Sequence, residues 1–368
     1  MTERWFKVGI NNDDEMYMFR AINLAAKGEG FVNPNPLAGA VIVKDGKIIS
    51  EGYHKFFGGP HAEIYALGDA GIKAKGADLY VNIEPCSKYG KTPPCVDAIL
   101  KAGIKRVVVA LLDPNPMRKG KGIRFLKRCG IEVVTGVLEE DAKRLNEIYI
   151  KYKTRSLPFI IMKTVLGLNG AMITDTGETE NVLCPESREY IKKMRNKIMG
   201  VMIGVDTLIS EDPALTVRLK ERPYISPKAI IIDPKLQIPE TSKLLTTIKE
   251  RAIIIACTQG YSEDKRVMLE ALGVKIIVTP QRGKGTVDMG YLVKELGSLG
   301  IDSIIVEGGK ELNYATMDSE LVDKVICFIT PKILKESRQD EIAITSDIMV
   351  RDMSSKKLGD DLLIEGYI

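Results

Sequence analysis

Strand-sized runs of aliphatic and β-branched residues alternate along the chain with segments of helical period, and this alternation fixes the fold class. In the first half the apolar runs fall at residues 38–43, 47–53, 78–83, 106–111 and 131–135. Helical spacing marks 13–28, where Met16, Phe19, Ile22 and Ala26 recur, and then 61–70, 94–102, 120–129 and 138–149. Asp45-Gly46 between two apolar runs predicts a hairpin, because that pair accepts the positive φ of a two-residue turn. Pro60 suits the first turn of the helix at 61–70 and Gly71 its end; Gly103 and Gly130 stop the next two. The pattern predicts an α/β sandwich with a largely parallel sheet.

The second half repeats the alternation without repeating the sequence. Strands are expected at 159–164, 201–204, 229–233, 252–257, 274–278, 303–307 and 325–330, and helices at 187–199, 265–271, 289–299 and 312–317. A polar stretch, Tyr152-Lys153-Thr154-Arg155-Ser156, precedes Pro158, where the apolar pattern restarts. Two domains are expected, 1–148 and 149–368, and each is long enough to bury its own core.

Charge and composition exclude several classes. The 53 basic and 49 acidic residues leave a net charge of +4, which gives no global case for nucleic acid or membrane as a partner. No apolar run approaches a membrane span. Met1-Thr2-Glu3-Arg4-Trp5 leads into no secretory signal. Six widely spaced cysteines make no disulfide framework, so a reduced, cytoplasmic protein is expected. Cys129, Cys184, Cys257 and Cys327 read as buried thiols.

The sharpest chemical signal is His61-Ala62-Glu63, followed by Pro85-Cys86 and Pro94-Cys95. One imidazole and two thiolates form a donor set that favours zinc. Three ligands leave the fourth tetrahedral position for water, as a catalytic site requires. Glu63 is too close in sequence to His61 to be a comfortable fourth ligand, but it can move the water's proton. Together these residues follow the pattern of zinc deaminases, except that eight residues separate the cysteines where base deaminases usually have two. The competing reading is a structural zinc site. His54, the other histidine, reads as a surface residue or one that supports the site from behind.

The second half offers weaker signals. Val201-Met202-Ile203-Gly204 and Ile304-Ile305-Val306-Glu307-Gly308-Gly309 are strands that run into glycine before a helix. Glycine there lets backbone N–H groups approach a phosphate. Neither stretch is a Walker A loop or a dinucleotide fingerprint, and a tight turn explains Gly-Gly equally well.

Taken together, several motifs resemble one family. They are Asn33-Pro34-Asn35-Pro36, Gly58-Gly59-Pro60-His61-Ala62-Glu63, Glu84-Pro85-Cys86-Ser87, Gly90-Lys91-Thr92-Pro93-Pro94-Cys95 and Asp113-Pro114-Asn115-Pro116. Lys163-Thr164-Val165-Leu166-Gly167-Leu168-Asn169-Gly170, Asp212-Pro213-Ala214-Leu215-Thr216-Val217-Arg218 and Val306-Glu307-Gly308-Gly309 extend the likeness. The chain is similar to the bifunctional pyrimidine deaminase–reductase family of riboflavin biosynthesis. The resemblance implies a cytidine-deaminase-like three-layer α/β/α domain, followed by a dihydrofolate-reductase-like α/β domain.

It also implies the chemistry. The substrate would be a pyrimidine ribotide, 2,5-diamino-6-(5-phosphoribosylamino)pyrimidin-4(3H)-one, first deaminated and then reduced from ribosyl to ribityl. His61, Cys86 and Cys95 would hold one Zn2+ per chain, Glu63 would shuttle protons, and Asn35 would help hold the base. NADPH would lie against Val165, Asn181, Thr207, Glu211 and Pro234. It would also meet the run Gly309, Lys310, Glu311, Leu312, Asn313, Tyr314 and Ala315. Thr179, Arg195, Leu215, Arg218 and Glu307 would face the substrate, and an Arg such as Arg218 suits its phosphate. A homo-oligomer is compatible with the family. The competing readings are a deaminase that edits a base in tRNA and a zinc-stabilised nucleotide-binding protein. Near-neutral charge, the long cysteine gap and a large second domain weigh against the first.

Overall fold

The computed structural model describes residues 13–89, 93–173, 182–217, 224–282, 285–334 and 347–368. The chain divides after Arg155 into two units, later than the expected junction at 148/149.

The first unit is built on a five-stranded sheet in the order β2-β1-β3-β4-β5. The strands are β1 (Gly39–Lys44), β2 (Lys47–Tyr53), β3 (Asp78–Ile83), β4 (Arg106–Leu111) and β5 (Glu132–Thr135). β3, β4 and β5 run parallel, but β1 is antiparallel to both β2 and β3, so the sheet is mixed rather than largely parallel. Because side chains alternate along a strand, β1 feeds two cores. Val41 and Val43 pack with Tyr17, Met18 and Ala21 of α1 (Asp13–Ala25) on one face. Ala40 and Ile42 pack on the other with Ala62 and Ala66 of α2 (Ala62–Ala70), Ile99 of α3 (Cys95–Lys101) and Leu126 of α4 (Lys121–Arg128). Each fully buried Val, Ile or Leu contributes about 1.5–3 kcal/mol, so both layers are firmly held.

The helix expected at 138–149 is two helices, α5 (Glu139–Leu145) and α6 (Glu147–Arg155). Asn146 separates them. Its buried side chain accepts the N–H of Leu37 at 2.9 Å and donates to the Leu37 carbonyl at 3.1 Å. The interruption is local: Asn146 N–H still donates to the Ala142 carbonyl at 3.2 Å, and the Asn146 carbonyl accepts Ile150 N–H at 2.9 Å.

The second unit carries a nine-stranded sheet in the order β10-β9-β8-β7-β13-β6-β14-β16-β15. Its strands are β6 (Phe159–Leu166), β7 (Gly200–Gly204), β8 (Lys228–Ile232), β9 (Ile253–Cys257) and β10 (Lys275–Val278). Then come β13 (Ser303–Val306), β14 (Lys324–Ile329), β15 (Arg351–Leu358) and β16 (Asp361–Tyr367); β11 (Gln281–Arg282) and β12 (Thr286–Val287) form a separate small hairpin. From β10 to β14 neighbouring strands are parallel, whereas β14, β16 and β15 pair antiparallel. Ile160, Met202, Ile230, Ile254 and Ile304 pack with Leu292, Leu296 and Leu312 of covering helices. The β15–β16 pair was not expected, because its first strand is polar along most of its length. Among the cysteines, Cys257 is buried, but Cys129 is exposed at the end of α4, while Cys184 and Cys327 are partly exposed.

Candidate functional site

Zinc-type donors converge because three element ends meet. His61 is the N-cap of α2. Gly52 lets α2 approach β2: a Cβ there would lie 2.4 Å from the Ala62 carbonyl oxygen. Cys86 lies in the loop after β3, and Cys95 is the first residue of α3. The loop and helix are tied together, since Val96 N–H donates to the Cys86 carbonyl at 3.2 Å.

Nδ1 of His61 lies 3.2 Å from Cys95 Sγ and 3.4 Å from Cys86 Sγ, and the ligand atoms of all three residues fall within 4.8 Å of one another. The Cys95 N–H donates to Cys86 Sγ at 3.3 Å. Hydrogen bonds from Cys95 and His61 bring the Cys86 thiol down to about 4, while the bond to Cys86 and burial push the Cys95 thiol up. Two sulfurs clustered beside an imidazole fit one zinc ion. Glu63, on the first turn of α2, is buried against the same atoms, and burial raises its carboxyl above the ordinary range.

His61 and Cys86 open on a cleft of about 450 Å³ lined by Asn35, Phe57, Glu84, Tyr89, Asp113, Arg118 and Lys121, among others. Asn35 is fixed from behind by His54, with Asn35 Nδ2 3.2 Å from His54 Nε2 and His54 Nδ1 2.8 Å from the Pro60 carbonyl. A proton on Nδ1 satisfies both contacts, and Asn35 then donates to Nε2. Burial lowers the pKa of His54.

The second cleft lies at the carboxyl ends of the adjacent strands β7, β13 and β6, where open α/β sheets bind ligands. At its base is a buried ionic triad. Lys163 Nζ sits 2.9 Å from Glu307 Oε2, and Arg195 donates Nε to Oε1 at 2.7 Å and Nη2 to Oε2 at 2.6 Å. Burial alone would push the Glu307 carboxyl up. The Arg195 and Lys163 charges and hydrogen bonds outweigh it and hold that carboxyl well below the usual carboxylate range. Asn313 also faces this cleft; its amide oxygen and nitrogen are buried without a partner among the described residues. An orphaned donor and acceptor together fit a polar ligand.

Of the expected residues, Val165, Arg195, Thr207, Glu211, Leu215, Glu307, Gly309 and Asn313 line this one cleft. Gly309 caps the helix Lys310–Asp318 with no side-chain cap. On that helix Leu312 and Ala315 turn into the hydrophobic core, Glu311 is exposed, and Lys310 and Tyr314 are half-buried. Pro234 follows β8, where its carbonyl accepts Thr258 N–H at 3.0 Å. Thr179, Asn181 and Arg218 lie outside the described residues, as do Gly90, Lys91 and Thr92. Sequence reasoning gave no separate role to Lys163, although a lone lysine inside an otherwise apolar buried strand signals a buried partner.

Comparison with known proteins agrees with this division. Residues 11–111 match the cytidine and deoxycytidylate deaminase zinc-binding region, and residues 158–364 match the RibD C-terminal domain. The riboflavin biosynthesis protein RibD of Aquifex aeolicus is 41% identical over 96% of this chain and 98% of that protein. The Escherichia coli protein of the same name is 38% identical over 87% and 88%. Acinetobacter baumannii RibD superposes with a TM-score of 0.85 at 31% identity, covering 96% of this chain and 98% of that one. The diaminohydroxyphosphoribosylaminopyrimidine deaminase/5-amino-6-(5-phosphoribosylamino)uracil reductase of Thermotoga maritima gives 0.81 at 33% identity, with the same coverage.

Proposed function

Because the chain belongs to the RibD family of bifunctional riboflavin-biosynthesis enzymes, with a zinc-dependent deaminase domain and an NADPH-dependent reductase domain, we propose which residues carry each half-reaction. The first unit performs the deamination and the second the reduction. The substrate is the diaminopyrimidine ribotide named above, and its deaminated product feeds the second step.

His61, Cys86 and Cys95 hold the zinc. The single observation that carries this reading is the convergence of their donor atoms beside a buried carboxylate. Bound there, zinc would act as a Lewis acid and make water a nucleophile at neutral pH. Glu63 takes one proton from the attacking water and delivers it to the 2-amino nitrogen, which departs as ammonia when its bond to the ring carbon breaks; the new C–O bond becomes the ring carbonyl, and the second water proton ends on the adjacent ring nitrogen. Asn35, oriented by His54, binds the pyrimidine edge.

In the second cleft, NADPH supplies the hydride. Thr207, Glu211, Gly309 and Asn313 bind and orient the cofactor, with Val165, Pro234, Lys310, Glu311 and Tyr314, while Leu312 and Ala315 anchor their helix in the core behind. Arg195, Leu215 and Glu307 bind the ribotide, with Lys163 as a fourth partner through its ion pair. Thr179, Asn181 and Arg218 complete the proposed set. No described helix is long and apolar enough to cross a membrane. A cytoplasmic setting is part of the same reading, supported by six unpaired cysteines.

The decisive assay gives the protein the diaminopyrimidine ribotide, zinc and NADPH, and follows ammonia and NADPH oxidation separately. Ammonia release without NADPH and cofactor oxidation only after deamination are expected. Neither signal appearing defeats the reading.

A further inference from the structure

The segment from Ser242 to Arg251 grips the loop from Asp212 to Leu215 at two points. Asp212 Oδ1 accepts Ser242 Oγ and the Lys243 N–H, each at 2.9 Å. At the other end the buried Arg251 guanidinium donates to the carbonyls of Leu215 at 2.7 Å, Pro227 at 3.1 Å and Ala214, and to Thr247 Oγ1 at 3.2 Å. All four acceptors are uncharged oxygens. A cation taken from water is costly, and among the described residues its hydrogen bonds go to neutral oxygens, with only the more distant Glu250 charge in its favour, so its place in the fold needs a reason.

The reason lies in the loop it holds. Leu215 stands at φ 52 and Asp212 at φ 42, in the left-handed region that non-glycine residues rarely adopt. Such backbone persists where its surroundings over-determine it. Pro213 and Leu215 both line the cleft that also holds Lys163, Glu307 and Asn313. An arginine fork reaches several carbonyls in one plane, which a lysine cannot do.

We propose that Arg251 is a positioning residue of the reductase half-reaction: by clamping the Ala214 and Leu215 carbonyls it holds the strained turn that forms the ribotide-facing wall. The inference rests on the assignment of this cleft to ribotide reduction.

The test uses the full-length, zinc-loaded enzyme with the deaminated ribotide and NADPH. Arg251→Ala is expected to raise the KM for ribotide about tenfold or more, with the KM for NADPH and the deamination rate held within about twofold. Methylguanidinium in the assay is expected to recover part of that loss. In a Leu215→Gly background, where glycine takes positive φ unaided, the same substitution should cost less than about threefold. An unchanged ribotide KM, equal rises in both KM values, or the same loss in the Leu215→Gly background would overturn the proposal. If Arg251→Ala does not fold, Arg251→Lys decides: about a fivefold rise in ribotide KM supports the fork, and a wild-type KM refutes it. Wild-type enzyme that oxidises no NADPH with this ribotide strikes instead at the assignment of the cleft.

Discussion

Glu84 Oε1 accepts the backbone N–H of Gly122 at 2.8 Å, tying the loop that carries Cys86 to the wall across the zinc cleft. The other oxygen accepts Gly120 N–H at 2.8 Å and Asp113 N–H at 3.1 Å. There is no slack at this junction: a Cβ on Gly122 would lie 2.2 Å from the Pro85 carbonyl oxygen. Asp113 and Lys121 line the cleft, so the carboxylate sets its width. Glu84→Gln places an amide donor against N–H donors and should cost about 1.5–3 kcal/mol of stability. Gly122→Ala should cost about 1–3 kcal/mol by overpacking. Both should raise the KM for deamination and leave NADPH oxidation with the deaminated ribotide unchanged. Thermal unfolding and the two separate assays check this.

Glu63→Gln keeps the volume and removes the proton carrier. Zinc content should stay at the wild-type level, ammonia release should fall by at least about 10²-fold, and reduction of supplied deaminated ribotide should continue. Full ammonia release by this variant would remove Glu63 from the chemistry.

Metal analysis should find about one zinc per chain, because the described residues build one three-donor set. Cys86→Ser or Cys95→Ser should lower that content and abolish deamination. Chelation should do the same while the far-ultraviolet circular dichroism stays native, since the first unit buries two apolar clusters without help from the metal. Loss of the dichroism signal on chelation would mark the zinc as structural.

Part of this site is legible in the sequence because local grammar announces it. Proline precedes each of His61, Cys86 and Cys95, and each ligand falls at a helix start or in a loop, so the motif and the geometry coincide. What is hidden depends on partners far away in the chain. Asn146 interrupts the helical run with a side chain bound to Leu37, 109 residues away, and nothing near Asn146 says so. Leu215 takes a left-handed turn that its residue type argues against, and its support comes from Arg251. The β15–β16 pair was missed because Met353-Ser354-Ser355-Lys356-Lys357 lacks an apolar run, although Gly359-Asp360 is a plausible turn signal. The lone Lys163 of β6 announces a buried partner, but that partner, Glu307, follows a strand distant in sequence.

That ion pair gives the stability a pH dependence of definite sign. The Glu307 carboxyl is held below its ordinary value in the folded chain, so its contribution is fully present above the unfolded value. The contribution fades as pH falls below about 4.3, the ordinary glutamate value, toward the lower folded one. At neutral pH, Glu307→Gln leaves the Lys163 and Arg195 charges buried without their counter-ion, which should cost about 3–5 kcal/mol. The wild-type melting temperature should therefore drop more steeply between neutral and acidic pH than that of Glu307→Gln, and the two curves should converge at the acid end. Parallel curves over that range would show that the triad is not what keeps the carboxyl ionised. The same variant should lose NADPH oxidation with the ribotide while still releasing ammonia, because the triad serves only the second cleft.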